Sequence, residues 1–239
     1  MNSTSALSNV LRYAIQKLRN ISSSEVRHVV PELTNLVDLI SLEDVRFDKS
    51  ILNSSAKVAH NQGWENTTRE RAPVTYVHIC EDQGFSAGVF IVKEGFRLPL
   101  HDHPNMHGII KVIHGAGKIK HFSETQSDIP ESVKQRVMPF QRPRIKCVDV
   151  GTEIVVNTSS KPCVLTPRQS NLHEIVATNG SLAFFDILFP PYDHENGTRV
   201  CKYYKKIGTA EDERVYNMQF LLEIPTPPDF WCDSLPLLD

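Results

Sequence analysis

The spacing of hydrophobic residues changes near residue 72, and this change constrains the fold more than any other feature. After that point, short runs of β-branched and aromatic residues are separated by Gly, Pro and Asn, a pattern typical of an all-β sandwich or barrel. The stretch "HGAG" at 114–117 lies between two such runs and predicts a hairpin turn. We therefore expect residues 72–239 to form one β-barrel domain. The runs are "VTYVHIC", "GVFIVK", "GIIKVIH", "KIKHF", "EIVVN", "CVLTP", "HEIVA" and "SLAFFDILF".

The segment 1–71 has a helical pattern instead. Apolar side chains recur at three-and-four spacing within residues 7–18, which predicts an amphipathic helix. A second helix is predicted to begin near Pro31, because proline suits the first position of a helix. "SLEDVRF" predicts a further short turn with Ser41 as its cap and Asp44 three residues later. We expect these apolar stripes to pack on the barrel, and a separate partner-binding helix is the alternative.

Composition and charge exclude several classes of protein. The 239 residues carry a formal net charge of −2, so no global attraction draws the chain to nucleic acid or to an anionic membrane. No stretch approaches the roughly 18 apolar residues of a membrane span, and the N-terminus lacks the apolar core of a signal peptide. The five cysteines are widely spaced and form no CxxC pair, which argues against disulfides and zinc knuckles. We expect a monomeric protein of the cytosol, and a nuclear location is the alternative.

A polar stretch at 123–150 interrupts the strand pattern. Five Lys and Arg residues surround Phe140 there, and cations beside an aromatic ring are suitable for nucleic-acid binding. Acidic residues nearby and the near-neutral chain favour a solvated loop inserted in the barrel. We therefore predict no nucleic-acid partner.

Histidines are concentrated in "GFRLPLHDHPNMHGIIKVIHGAGKIKHF" (95–122), which holds five of the ten in the chain. His101 and His103 are two residues apart, so on a strand their rings lie on the same face. Two histidines on one face of a barrel strand favour a metal site over a packed core. A divalent metal needs a third ligand, and His173 in "NLHEIVA" is the first choice, with His107 as its rival.

The remaining histidines have weaker contexts. His114 and His121 are predicted to flank the hairpin turn and to face solvent. Asp102, between the two paired histidines, is expected to point away from their face. It is therefore interpreted as a solvent-facing or supporting group and not as a ligand.

These residues also carry a family resemblance. Gly95, His101 and His103 form Gx5HxH, which resembles the first motif of the cupins. Common cupins place a Glu four or five residues after the second His, where this chain has His107 and Gly108. The pattern therefore resembles the three-histidine variant of the cupin fold.

Longer segments narrow the resemblance to one family, the thiol dioxygenases that comprise the 2-aminoethanethiol (cysteamine) dioxygenases and the plant cysteine oxidases. The resemblance covers about 90–232 and implies a cupin double-stranded β-helix, or jelly-roll barrel. It implies Fe(II) held by His101, His103 and His173. The segments are "LPLHDHPNMHGIIKV", "LTPRQSNLHEI", "FFDILFPPYD", "CKYY" and "LLEIPTPPDFWC".

Three neutral ligands support this resemblance independently. Replacing a carboxylate ligand by His leaves the full dipositive charge on the metal, which favours an anionic ligand such as a thiolate. The family resemblance implies that both atoms of O2 are added to sulfur, giving a sulfinic acid. Cysteamine would become hypotaurine, and an N-terminal cysteine of a peptide or protein would become cysteine sulfinic acid, an oxygen-dependent degradation signal.

Four further residues are candidates for the site. Asp186 alternates with apolar residues along its strand, and a buried carboxylate needs a partner such as the substrate's amine or a ligand imidazole. The resemblance places Asp186 and Tyr192 near the active site, and it implies a thioether cross-link between Cys201 and Tyr203. The simpler alternatives are that Asp186 bonds backbone groups, Tyr192 packs in a turn and Cys201 is a buried thiol.

Two other functions remain open from the residues alone. Three histidines also suit a zinc-dependent hydrolase or lyase, because Zn²⁺ held this way activates water. A non-enzymatic cupin could bind a ligand beside a structural metal. Structural metal sites normally have four protein ligands, and only three are predicted here, which counts against the non-enzymatic cupin.

Overall fold

The computed structural model describes residues 5–53 and 72–238. The end of the predicted helical segment 1–71 therefore lies outside the described residues. Within these ranges the protein contains four helices, three short 3₁₀ helices and eleven strands. The helices are α1 (Ala6–Lys17), α2 (Ser23–Asp38), α3 (Glu131–Lys134) and α4 (Ala210–Tyr216), and the 3₁₀ helices are Leu42–Asp44, Lys49–Asn53 and Pro139–Arg144. The strands are β1 (Val74–Glu81), β2 (Ser86–Val92), β3 (Arg97–Asp102), β4 (His107–Phe122), β5 (Ile145–Val148), β6 (Thr152–Asn157), β7 (Cys163–Leu165), β8 (Leu172–Phe189), β9 (Tyr203–Lys206), β10 (Gln219–Ile224) and β11 (Cys232–Leu235).

The long strand β8 organises the barrel. Along one edge, its C-terminal half pairs with β2 and its N-terminal half pairs with β3, both antiparallel. Along the other edge it pairs with β4 over nearly its whole length. The sheet continues from β2 through β1 to β11, and from β3 through β9 and β10 to β5. The predicted all-β jelly-roll barrel, with an N-terminal helical segment packed on it, is confirmed.

The helices cover one face of the barrel. Val10 of α1 and Leu33 of α2 are fully buried, in one cluster with Val89 of β2 and Phe185 of β8. The neighbouring residue Phe184 belongs to the separate cluster inside the barrel, because successive strand residues point to opposite faces. The C-terminal half of β8 is thus buried on both sides, which explains its almost unbroken apolar run.

A partly buried ion pair also joins the helices to the barrel. The Lys111 ammonium of β4 lies 3.0 Å from a carboxylate oxygen of Asp38 in α2 and donates to the carbonyl of Ser160. None of the helices in the described ranges has the length and apolar character that crossing a membrane requires.

The start predicted for the second helix was wrong. α2 begins at Ser23, and the backbone N–H of Ser22 donates to the carboxylate of Glu25, as in a capping box. Pro31 lies inside the helix, where it removes one backbone donor but does not end it. The predicted turn after α2 is confirmed, since Ser41 and Asp44 cap the 3₁₀ helix Leu42–Asp44.

The predicted hairpin turn at 114–117 was also wrong. β4 continues through this stretch with two irregularities of register, at Val112/His114 and His114/Ala116. Gly115 has φ 73°, and a Cβ atom there would overlap the carbonyl oxygen of Ser181 in β8. The glycine therefore serves the close approach of two strands rather than a chain reversal.

The stretch 123–150 is more ordered than a solvated loop. Its end forms β5, which pairs with β10, so this part of the prediction was wrong. The Arg136 guanidinium forms a bidentate pair with the buried carboxylate of Asp212 in α4. A small apolar cluster lies beneath the stretch and contains Val133, Ile145, Cys147, Phe220 and Leu222.

We expect Gly115→Ala to lower the free energy of unfolding by about 3 kcal/mol, because it combines a positive φ with a backbone clash. Gly95→Ala is the matched control. Gly95 also has positive φ, but nothing lies within 4 Å of a Cβ atom built there. The control substitution should lower the free energy of unfolding by about 1 kcal/mol. Urea denaturation measures this quantity for both variants. Equal losses in the two variants would show that β8 does not constrain residue 115.

Candidate metal centre

Three histidine rings converge inside the barrel. His101 on β3 lies directly opposite His173 on β8 in the antiparallel register. His103 follows the end of β3, and its backbone N–H donates to the carbonyl of Asn171 just before β8. The ring centroids are 4.7 to 4.8 Å apart in all three pairs, and all three residues are buried. The structure thus brings together the three residues predicted as ligands.

The geometry and charge of these rings fit a divalent transition metal. The Nε2 atoms of His103 and His173 are 3.2 Å apart, close to the roughly 3 Å between two nitrogens bound at about 2.1 Å and at a right angle. Burial lowers the pKa of all three imidazoles, and for His103 and His173 a neighbouring imidazole lowers it further. The rings are therefore neutral and keep a lone pair for a metal.

Hydrogen bonds orient two of the rings. The Nδ1–H of His101 donates to the carbonyl of Pro99 at 2.7 Å, which leaves its Nε2 unprotonated. The hydroxyl of Tyr192 donates to the carbonyl of Asp102 and accepts from the Nδ1–H of His103 at 2.9 Å. Burial raises the pKa of Tyr192 well above its usual value, so this hydroxyl remains a donor. Tyr192 thus lies beside His103 and does not merely pack in a turn.

Of the two environments expected for Asp102, the structure shows the supporting one. Its side chain is buried, and its carboxylate accepts from the Tyr204 hydroxyl at 2.7 Å and from the Lys202 backbone N–H at 2.9 Å. The ammonium of Lys146 lies 3.6 Å away. The expectation that Asp102 faces away from the ligands holds, but it is not a solvent group. It attaches the end of β3, which carries the ligands, to the start of β9.

Asp186 lies in the same cavity as the three rings. It sits on β8 between Gly88 of β2 and Ile110 of β4, and its Oδ1 has no hydrogen-bond partner in the described part of the chain. Burial raises its pKa from an ordinary value near 3.8 to about 7. A carboxylate that is buried and unpartnered is available to pair with a cation from a ligand.

The cavity around these residues has a volume of about 430 Å³. Its walls are mainly apolar and aromatic, with Phe184 and Leu188 beside Asp186 on β8. Among the described residues that line it, none is Lys or Arg. Sequence reasoning missed Tyr76, Phe230 and Cys232, which also line the cavity, because nothing in a local pattern shows which remote strands form one wall.

Cys201 and Tyr203 form another part of the wall. The thiol of Cys201 lies next to the hydroxyls of Tyr192 and Tyr203, and burial raises its pKa to about 12. Tyr203 pairs with His101 across β3 and β9, with ring centroids 6.4 Å apart. Cys201 precedes β9 and does not lie on it, but the two predicted partners are in contact.

No other histidine of the described residues belongs to the three-histidine cluster, although His194 lines the same cavity and stacks on Tyr192. The ring of His107 stacks on that of Phe189, with centroids 5.4 Å apart, and His107 is not part of the cluster formed by His101, His103 and His173. His121 is half-buried and lies 3.0 Å from the hydroxyl of Ser170, so its predicted exposure was wrong. It faces this way because β4 pairs with β8 at this position and does not end in a hairpin.

Comparison with known proteins gives a family match. The model of the PCO_ADO family matches residues 36–237. The chain is 38% identical over 182 residues to the 2-aminoethanethiol dioxygenase of Mus musculus. The aligned region covers 70% of this chain and 71% of that protein. It is 27% identical over 193 residues to plant cysteine oxidase 1 of Arabidopsis thaliana, covering 77% of this chain and 59% of that protein.

A solved structure with a double-stranded β-helix domain, from Klebsiella pneumoniae, shares 12% identity with the chain. The superposition has a TM-score of 0.36 and covers 55% of this chain and 86% of the other.

We expect His173→Ala to abolish tight metal binding and Tyr192→Phe to weaken it by about 10- to 100-fold, since a lost partner of a ligand has effects of this size. His107→Ala is the control and should bind metal as the wild type does. Equilibrium dialysis with Fe(II) under argon, followed by metal analysis, measures all three. Retention of metal by His173→Ala together with loss in His107→Ala would move the third ligand to His107.

We expect Asp186→Asn to stabilise the metal-free protein in a pH-dependent way. The folded-state pKa of Asp186 is raised, so folding is penalised once the unfolded carboxyl ionises near pH 4, and the penalty is complete above about pH 7. The gain in melting temperature should be near zero at pH 4 and largest above pH 7. Asp229→Asn, at an exposed position, is the control for the lost charge. A gain that does not change with pH would contradict the burial of an unpaired carboxyl.

Proposed function

The chain belongs to the PCO_ADO family, and from this premise we propose that it is a non-haem Fe(II) thiol dioxygenase that adds both atoms of O2 to the sulfur of a 2-aminothiol. The observation that carries the proposal is the convergence of three buried, neutral imidazoles in a cavity that also holds an unpartnered carboxyl. Iron held by His101, His103 and His173 would supply a positive charge that favours a thiolate and a redox centre for O2.

The chain's own residues prepare this site before any substrate binds. The backbone carbonyl of Pro99 and the hydroxyl of Tyr192 hold the rings of His101 and His103 in the orientation that frees Nε2. The apolar walls, including Phe184 and Leu188, exclude water from the reacting sulfur. Positioning of this kind removes much of the entropic barrier to a reaction between two bound partners.

Asp186 would bind the ammonium group of the substrate. Asp186 lines the cavity and its Oδ1 has no hydrogen-bond partner among the described residues, so an ammonium bound beside the carboxyl would supply a partner and favour the ionised carboxylate. A thiol and an amine separated by two carbons would then be held at two points, sulfur near the histidines and nitrogen at Asp186. The role rests on the burial and missing partner of this residue.

The lining of the cavity also selects against a free carboxylate. The described lining residues include no Lys or Arg that could pair with one, and burial of an unpaired charge is costly. Cysteamine has no carboxylate, and in an N-terminal cysteine the carboxylate is converted to an amide. Both therefore suit the site better than free cysteine does, and the second would give the oxygen-dependent degradation signal.

Three further parts of the proposal come from the sequence. The contact between the Cys201 thiol and the Tyr203 hydroxyl supports a thioether cross-link as a modifier of activity. A monomeric state and a cytosolic or nuclear location stay predictions.

An assay of four thiols tests the proposed activity. With iron-loaded protein and O2, we expect cysteamine and a Cys-initiated peptide to gain about 32 Da, the mass of O2. Free cysteine should show a kcat/KM at least about tenfold lower because its carboxylate is unpaired in the cavity. Cysteine methyl ester, which removes only that charge, should recover most of the loss.

The same assay with zinc-loaded protein is the control for the hydrolase or lyase alternative, and it should give no product. Absence of O2-dependent mass gain on every thiol with iron present would refute the dioxygenase assignment.

A further inference from the structure

The strand β11 leaves one edge of the sheet open. It pairs in parallel with β1 through the register Val74↔Cys232 to Val77↔Leu235. On its other edge no strand of the described ranges pairs with it. Three of its four residues are exposed. An open edge presents backbone donors and acceptors that can accept another strand.

The strand β11 borders the cavity of the metal centre. The consecutive residues Cys232, Asp233 and Ser234 all line the cavity that contains the three histidines. Successive side chains of a strand point to opposite faces, so a wall made of three consecutive residues is presented in part by the backbone of the strand. The route from the rings to β11 therefore lies within one cavity.

The size of the cavity indicates a substrate larger than cysteamine. Its volume of about 430 Å³ lies in the range of roughly 300–1,000 Å³ that accommodates drug-sized ligands. A two-carbon aminothiol placed between the histidines and Asp186 would leave most of this space unfilled. The lining of the same cavity includes residues of β11 and Tyr76 of the adjacent strand β1.

We propose that β11 binds the residues that follow an N-terminal cysteine, as an added strand on its open edge. This inference rests on the proposed function, because the cysteine thiol is placed at the three histidines. The following residues would extend along Cys232–Leu235 and exchange backbone hydrogen bonds with it, as in other cases of strand addition. The site would then recognise the main chain of its substrate and accept varied side chains.

The test uses the wild-type iron-loaded protein and a series of Cys-initiated peptides, from a dipeptide to an octapeptide. We expect kcat/KM to rise with length and to level off once the four residues of β11 are paired. N-methylation of single backbone nitrogens should lower kcat/KM about tenfold at alternate positions, because only every second N–H of a strand points to a given neighbour. Methylation at the intervening positions should have little effect.

Ser-initiated peptides of the same lengths give a readout of binding without oxidation. Ser-initiated peptides with the same N-methylated positions should inhibit cysteamine oxidation, and their Ki should be raised at the same alternate positions. Peptides that are oxidised with no dependence on length or on the position of methylation would overturn pairing with β11 and leave the proposed function standing. Such independence together with a dimeric mass in solution would instead assign the open edge to a second copy of the chain. If neither cysteamine nor any peptide is oxidised, the proposed function fails and this inference fails with it.

Discussion

The antiparallel pairing of β3 with β8 is the constraint on which the rest of the site depends. It places His101 opposite His173, although 70 residues or more separate the ligand-bearing segments along the chain. His103 is then held by the backbone of Asn171, which precedes β8. Because a shift of one residue would turn His173 to the other face of its strand, the register and the metal centre are specified together. Burial of β8 on both faces fixes this register, because a shifted strand would move its apolar side chains out of their clusters.

The helices contribute to the site by covering the outside of β8. Phe185 and its alternate neighbours pack under α1 and α2, so Phe184, Asp186 and Leu188 must face the interior. A carboxylate in that row loses its hydration without gaining a protein partner for Oδ1. Asp102 shows the opposite case, since a hydroxyl and a backbone N–H satisfy its two oxygens. The contrast separates a supporting carboxylate from one that is available to a ligand.

The parts of the site that could be predicted are those carried by residue type and local spacing. The HxH pair, His173 in its apolar strand and Asp186 in an apolar row each show their character within a few residues. The partners of Asp102 could not be found this way, because Tyr204 is 102 positions away and only the pairing of β3 with β9 brings it near. Gly115 was misread since a glycine required by a neighbouring strand resembles one required by a turn. The start of α2 was predicted at Pro31 because proline is common at the first position of a helix, whereas the capping box at Ser22 begins the helix eight residues earlier.

Buried polar groups in folded proteins are nearly always satisfied, so departures from that rule need a cause. Two such departures border one cavity, namely imidazole lone pairs that face each other and a carboxyl with a free oxygen. The strand β11, whose outer edge pairs with no strand of the described residues, borders the same cavity. The facing lone pairs and the free carboxyl oxygen are unfavourable for the isolated chain, whereas the exposed edge of β11 is hydrated until a strand binds it. Together the three features match the charges and bonding groups of the proposed ligand. In the proposals above, a metal ion would satisfy the lone pairs, an ammonium would satisfy the carboxyl, and an extended backbone would pair with the edge. Under the proposed function, an N-terminal cysteine would supply all three groups, because its first residue carries the thiol and the ammonium and the peptide backbone follows.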